Sequence, residues 1–320
     1  MKNNFYDRKV KLLTFAKKVL KINKYYLSAL SSFIIWGFFS LALKPLKDYP
    51  SLDILFYRVF LATIFLLLIN LVFRKKTLVQ DWTSFQNLDI NQKYKTIFLT
   101  IIGGFLLLAN WFLFIYAINH VSLQSASFAY LICPILTTIL AFFILKEKLT
   151  KWQWLSVFLC IISCAILSYG HLQDLFYSLT IALSFAFYLI TQRKNNQFDR
   201  FVILTVQMLI CSIIILPFYP NYTASLPTES IFYILLVIIV IVFTIIPLFL
   251  NLYALKGMNS SAVGILMYTN PLIHFFLAVF YFKEEINKAQ IVSYLLILIS
   301  IVLFNIDTIK KTNYISKSKS

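Results

Sequence analysis

Charge is scarce in this chain. Charged residues make up 13% of its 320 positions, and only 12 are acidic. Soluble domains carry about a quarter charged residues, so an ordinary water-soluble globule is excluded. No stretch has the composition of a separate soluble domain. Catalytic signatures are lacking as well. There is no Walker loop, no G-x-S-x-G, no H-E-x-x-H and no pair of carboxylates inside an apolar run. Phosphate-loop, serine-hydrolase, zincin and acid–base pair chemistries therefore have no residues to carry them, and the chain reads as a non-enzyme. The cysteines Cys133, Cys160, Cys164 and Cys211 all sit in apolar runs, with neither metal spacing nor a disulfide framework. They read as small packing residues, and no cofactor or metal is expected.

What the chain has instead is 60% hydrophobic residues, gathered in runs of roughly 18 to 25, the length that crosses a bilayer core. Ten spans are expected, at 25–43, 52–73, 96–118, 123–145, 152–169, 172–192, 201–218, 231–255, 261–282 and 290–306. Backbone groups facing lipid must be satisfied within the segment, so the spans are helices and the protein is an all-α polytopic membrane protein. The net charge of +17 does not point to nucleic acid, because the basic residues fill the gaps between spans. With the N-terminus inside, cytoplasmic segments carry 24 of the 29 Lys and Arg and external segments carry 4, Arg58 lying within a span. That bias puts both termini in the cytoplasm. The basic tail 1–24 is either an interfacial helix on anionic lipid or a solvated tail. It is not a cleavable signal peptide, because the apolar run behind it is long and lacks a small-residue cleavage site.

One string recurs 137 positions later without a gap. Tyr116-Ala117 returns as Tyr253-Ala254, Pro134 as Pro271, Ala141 as Ala278, Lys146-Glu147 as Lys283-Glu284 and Gln153 as Gln290. Duplication explains the shared order and hydropathy. The period covers five spans, an odd number, so the two copies run in opposite directions across the membrane. Two five-span halves of inverted orientation form a recurring architecture of secondary transporters, with the site near the midplane. Glu147 then falls at the cytoplasmic face and Glu284 at the external one. Each is either a solvated helix end or part of a gate.

Candidate pathway residues follow from polarity and kinks inside the spans. Pro134 and Pro271 lie mid-span at matching positions, each removing a backbone hydrogen bond; Tyr130, Tyr268 and Asn270 accompany them. Asn110-Trp111 lies in the third span and Asn251 in the eighth. A buried Asn either ties helices together or faces a solute. Trp36 and Tyr188 sit in the first spans of the two halves, as ligand faces for flat or cationic groups or as plain packing. Arg58 lies in the outer third of the second span, where it snorkels, pairs with Asp53 or binds an anion; at the centre an arginine costs about 2.5–3.5 kcal/mol on insertion scales. His274, one turn past Pro271, is a proton relay or a packed neutral ring. Gly103-Gly104 in the third span permits close helix packing.

Several of these segments resemble a known family. They are Phe33-Ile-Ile-Trp36-Gly37, Tyr57-Arg58-Val59, the run from Gly104 through Asn110-Trp111 to Asn119, the end of the fourth span at Lys146-Glu147-Lys148-Leu149, Ala182 to Tyr188, and Pro247 to Pro271. In them the sequence is similar to the EamA type of the drug/metabolite transporter superfamily, and within it to the RarD branch of chloramphenicol-sensitivity proteins. The resemblance implies two five-helix EamA repeats, here 25–170 and 171–308, between cytoplasmic tails 1–24 and 309–320. It also implies transport of small organic solutes, often export, driven by ion or solute gradients. Three features depart from the family pattern. Lys146 and Lys283 stand where Gly commonly precedes the Glu, the basic tail is longer than usual, and His274 replaces an apolar residue.

The expectation is an inner-membrane secondary transporter of bacterial type, a permease that moves a small metabolite or drug by alternating access. The first, third, fourth, sixth, eighth and ninth spans line its cavity, and the fifth and tenth are peripheral. Its partners are a small-molecule substrate, membrane lipid and a proton or exchange substrate, with no nucleic acid, in a monomer or homodimer. An importer of a scavenged nucleoside-like or sulfonium metabolite, or a non-transporting scaffold or sensor, are the alternatives.

Overall fold

The computed structural model describes residues 24–46, 49–120, 123–167, 169, 172–219, 229–281 and 288–317. The basic tail before Lys24 and the Lys283-Glu284 pair lie outside the described residues. Among the described residues every regular element is helical. In chain order they are α1 (Lys24–Leu43), α2 (Ser51–Leu68, continued by Ile69–Phe73), α3 (Lys75–Gln86), α4 (Ile90–His120), α5 (Leu123–Leu145), α6 (Lys151–Leu167), α7 (Leu172–Lys194), α8 (Arg200–Phe218), α9 (Ser230–Gly257), α10 (Ser260–Leu266, Thr269–Phe276 and Leu277–Tyr281) and α11 (Lys288–Lys317). Six of them, α1, α2, α4, α8, α9 and the apolar part of α11, are long and apolar enough to cross a membrane, with shorter apolar helices at Ala129–Leu145 and Lys151–Leu167.

Local chemistry sets several of the ends. Asp199 caps α8 by accepting from the backbone N–H of Phe201 (3.0 Å) and Val202 (3.3 Å). Thr150 and Gln153 exchange backbone-to-side-chain bonds at the start of α6, a capping box. At the end of α5 the Glu147 N–H reaches back to the Ala141 carbonyl (3.2 Å), and Lys146 takes the left-handed conformation, φ 54°. That is a Schellman ending with lysine in the position that suits glycine.

The segment 74–95 reads from the sequence as a long connection. The structure makes most of it the helix α3, which Asp81 docks by accepting from the Asp199 N–H (2.9 Å). Three further interruptions are π-helical turns at Ile69–Phe73, Ile241–Ile245 and Leu277–Tyr281, the second just ahead of Pro247, whose missing N–H leaves the Phe243 carbonyl free.

Matching helices of the two sequence copies pack antiparallel. Ser156 of α6 donates to the Ser300 carbonyl of α11 (2.8 Å), and Ser163 donates to the Ser293 carbonyl (2.9 Å). Ser293 and Ser300 lie 137 positions after Ser156 and Ser163, so the paired positions exchange under a two-fold rotation, although both donating hydroxyls belong to α6. Between α2 and α8, Tyr57 meets Tyr219, Thr63 meets Met208 and Ser212, Asn70 meets Thr205, and Arg74 meets Asp199. Between α5 and α10, Leu131 accepts from the Tyr268 hydroxyl (2.8 Å), 137 positions on. Gly264 there lies against Thr137 and the Pro134 carbonyl, and the absent side chain lets the two proline helices touch.

Candidate functional site

The π-helical turn in α9 is the starting point. Such a turn inserts one residue and loosens the backbone ladder, and it occurs often at functional sites. Here it brings the Phe243 carbonyl and the Thr244 side chain together. The indole N–H of Trp36 on α1 donates to the Phe243 carbonyl (3.0 Å). Arg58 on α2 donates through Nε to Thr244 Oγ1 (2.6 Å) and through Nη2 toward the same carbonyl (3.5 Å). The Thr244 hydroxyl in turn donates a hydrogen bond to the Ile239 carbonyl (3.0 Å). The guanidinium lies over Trp111 of α4, 4.4 Å from the ring centre, and 5.2 Å from the centre of Phe39 on α1. Ring faces attract a cation, with Trp the best of them, at about 1–2 kcal/mol when partly desolvated.

Arg58 is therefore held inside the bundle by residues of both sequence copies. Trp36 continues the aromatic surface to Phe185 on α7 (6.3 Å between ring centres), and Phe185 continues it to Tyr188 (5.6 Å). Tyr130 of α5 packs edge-on against Phe114 of α4 at 5.4 Å. The arrangement pairs a fixed cation with flat apolar faces. It is suited to a small organic solute that has an aromatic or apolar body and a negative or polarised end.

The remaining sequence candidates scatter around this centre. Asn110 commits its amide to α7, donating to the Ile181 carbonyl (3.0 Å) and Ser184 Oγ (3.1 Å). It ties α4 to α7, while its neighbour Trp111 faces Arg58. Asn251 of α9 is buried with both amide atoms unpartnered, and Asn270 is buried with its oxygen unpartnered. Tyr268 is fully buried by its bond to Leu131. Pro134 lies within the continuous helix α5, whereas Pro271 follows a break in α10, where Asn270 N bonds only three residues back to Met267 (3.0 Å). The matched prolines thus differ in outcome. The His274 side chain lies outside the described residues.

Two polar arrangements go beyond the sequence reading, which took Glu147 as a solvated helix end or part of a gate and Arg200 as a loop cation. The first is the Glu147 carboxylate. It accepts from the backbone N–H of Ser260 (2.7 Å), the N–H of Ser261 (3.1 Å) and the Ser261 hydroxyl (2.5 Å). It so clamps the end of α5 onto the start of α10, where the helix dipole favours negative charge. The second is Arg200. The sequence counts it among the loop cations, but the structure buries it to 2% exposure, because its guanidinium folds back under the α7–α8 turn. Gln192 and Gln207, polar residues within two consecutive apolar spans, were the available signal.

Outside the spans, Arg74 and Asp199 form a two-pronged salt bridge (2.8 and 3.0 Å). Burial alone would push the Asp199 carboxyl up. Arg74 and the backbone donors of α8 outweigh it and hold the group below the usual carboxylate range. Burial pushes neighbouring Asp81 up.

A helical bundle with several bilayer-length apolar helices, and polar side chains converging from both sequence copies, defines a multi-pass membrane protein. The EamA-like transporter family profile matches residues 23–169 and again 174–306. The chain belongs to the EamA-like transporter family, which gives it a membrane transporter role. It is RarD-like: Protein RarD of Escherichia coli is 28% identical over 303 residues, 91% of this chain and 97% of that one. The uncharacterized transporter YojE of Bacillus subtilis is 28% identical over 281 residues, 87% of this chain and 92% of that one. A solved crystal structure shares the fold at a TM-score of 0.69 with 14% identity, covering 88% of this chain and 96% of that chain. Family and relatives point to transport, not catalysis.

Proposed function

We propose that the protein is a secondary transporter of the bacterial inner membrane that exports a small organic metabolite or drug by alternating access. Ten spans in two inverted halves, 25–170 and 171–308, form the machine, with both termini in the cytoplasm. The antiparallel packing of α2 with α8, α5 with α10 and α6 with α11 supports that reading, as does the 24-to-4 distribution of basic residues. The single observation that carries it is Arg58. Residues of α1, α2, α4 and α9, from both sequence copies, converge on one cation between ring faces. A solute bound there touches both halves, so rocking them passes it from one face to the other. A proton or an exchanged solute drives the cycle, with lipid around the bundle.

The test has two stages. Metabolites are first compared in the medium of cells with and without the protein. The solutes that differ are then followed in reconstituted vesicles, with and without a pH gradient. Solute-specific flux that falls at least tenfold in Trp111→Ala, at normal membrane abundance, is the expected result. Flux equal to protein-free vesicles for every candidate would overturn the reading.

A further inference from the structure

The faces of α7 and α8 that meet Gly103 of α4 carry polar groups without partners. Tyr188 and Gln192 lie one turn apart on α7, and Arg200 and Gln207 two turns apart on α8. All four are exposed by 2% or less. The Tyr188 hydroxyl, both amide atoms of Gln192 and of Gln207, and Nε and Nη2 of Arg200 make no hydrogen bond. Buried polar groups in native proteins are normally satisfied, so such a concentration calls for a ligand.

Arg200 is firmly anchored nonetheless. Its Nη1 donates to the carbonyls of Gln192 (3.2 Å) and Asn195 (2.5 Å), and Asn195 is tied to Thr100 of α4 (3.0 Å). One nitrogen holds the head group while the Nε–Nη2 edge stays open. That edge is the fork that receives a carboxylate through two parallel bonds. The amide nitrogens of Gln192 and Gln207 converge on Gly103, where a methyl group would overlap both, and Gln192 is also the residue whose carbonyl receives Nη1 of Arg200. Tyr188 lies within electrostatic range of Arg200 and, deeper on α8, of Cys211.

The surrounding charge is positive. Arg193 is a like charge near Arg200, and its own Nη1 is taken by the Leu255 carbonyl. The adjoining carboxylate, Asp199, is engaged by Arg74 and by the cap of α8. An unpaired cation buried in low dielectric is costly; a small anion would supply the missing partner.

We propose that Arg200, Gln192, Gln207 and Tyr188 form an anion site, closed over by α4, α7 and α8, for a small monovalent anion of carboxylate or halide type. It is separate from the Arg58 cluster, where the Nε–Nη2 edge is already taken by Thr244 and the Phe243 carbonyl. The rings of Tyr188, Phe185 and Trp36 connect the two, and Trp36 shares the Phe243 carbonyl with Arg58. Occupancy of the anion site therefore bears on the central cluster. This last clause rests on the transporter reading; anion binding itself does not.

The test is thermal unfolding of the purified full-length protein in detergent, at constant ionic strength. The salts are sodium gluconate, formate, acetate and chloride. Gluconate is too bulky for a closed site and serves as the reference. A saturating rise in Tm with formate or acetate supports a carboxylate site, and one with chloride as well supports a halide-tolerant site. Arg200→Lys loses the fork and is expected to lose the rise. Gln207→Glu supplies a carboxylate from within. It is expected to melt higher than the parent in gluconate and to show no salt-specific rise, so it carries the test if Arg200→Lys does not fold. Identical Tm in all four salts, or a full salt-specific rise retained in Gln207→Glu, would overturn the proposal. Vesicles without solute flux would sink the transporter reading and leave these shifts in place.

Discussion

Removing the Glu147 clamp should open the junction between α5 and α10. The carboxylate holds three donors on the first turn of α10, at 2.5, 2.7 and 3.1 Å. Bonds to a charged acceptor contribute about 1.5–3 kcal/mol each when dry. Glu147 is only half-buried, and water replaces part of what is lost. A net loss of about 2 kcal/mol is therefore expected for Glu147→Ala, or a factor of about 30 in the ratio of closed to open junction. The reporter is Thr137→Cys, in a background where Cys133, Cys160, Cys164 and Cys211 are replaced by Ala. Thr137 is fully buried against Gly264, about 15 Å along α5 from Glu147 at 1.5 Å per residue. Maleimide labelling in inside-out vesicles should accelerate about 30-fold with Glu147→Ala if labelling follows opening. Glu147→Gln, which keeps one acceptor, should fall between. A Glu147→Ala protein of normal abundance that labels no faster than its parent would refute the clamp.

Lys146→Gly should stabilise the protein by about 1 kcal/mol, since a left-handed non-glycine residue costs about that much; an unchanged Tm would show that φ 54° carries no strain. Arg58→Lys keeps the charge but loses the planar stack on Trp111 and the Nε bond to Thr244. Solute affinity in the vesicle assay should fall about tenfold, for a loss of about 1–2 kcal/mol, and wild-type affinity would remove Arg58 from the site. Asp199 titrates below its unfolded value, so its stabilising effect is present above about pH 4 and lost as pH falls through the depressed pKa. Asp199→Asn should flatten that acid limb of the Tm profile, and a profile of unchanged shape would contradict the assignment.

The helical architecture was legible because lipid leaves the chain few choices: apolar runs of bilayer length must satisfy their own backbone. The 137-residue period matched Pro134 with Pro271, and the helices that carry them do touch, with the Tyr268 hydroxyl bonded to the Leu131 carbonyl. Trp111 and Arg58 were visible as polar groups in apolar surroundings, and the structure brings them into contact. What stayed hidden depends on the third dimension. The π-helical turn at Ile241–Ile245 ends just ahead of Pro247, which has no N–H for the Phe243 carbonyl four residues back; the sequence shows the proline but not that Trp36 and Arg58 take its place on that carbonyl. Arg200 reads as a loop cation in any one-dimensional count and is buried only because the α7–α8 turn folds over it. Lys146, where the resemblance implies glycine, takes the left-handed backbone that suits glycine.

The seam between α6 and α11 has the form of an isologous interface inside one polypeptide. Ser156 faces Ser300 as Ser163 faces Ser293, so exchanging the two helices keeps the paired positions, while both donating hydroxyls stay on α6. The paired positions favour neither half, and the direction of the bonds is one point at which the halves differ. On the proposed cycle, the inward-facing and outward-facing forms become the same shape with the roles of the halves exchanged. The free-energy difference between them then arises from the residues that break the equivalence, such as the unlike consequences of Pro134 and Pro271. Those residues, and not the shared scaffold, are where the resting orientation of the molecule is written.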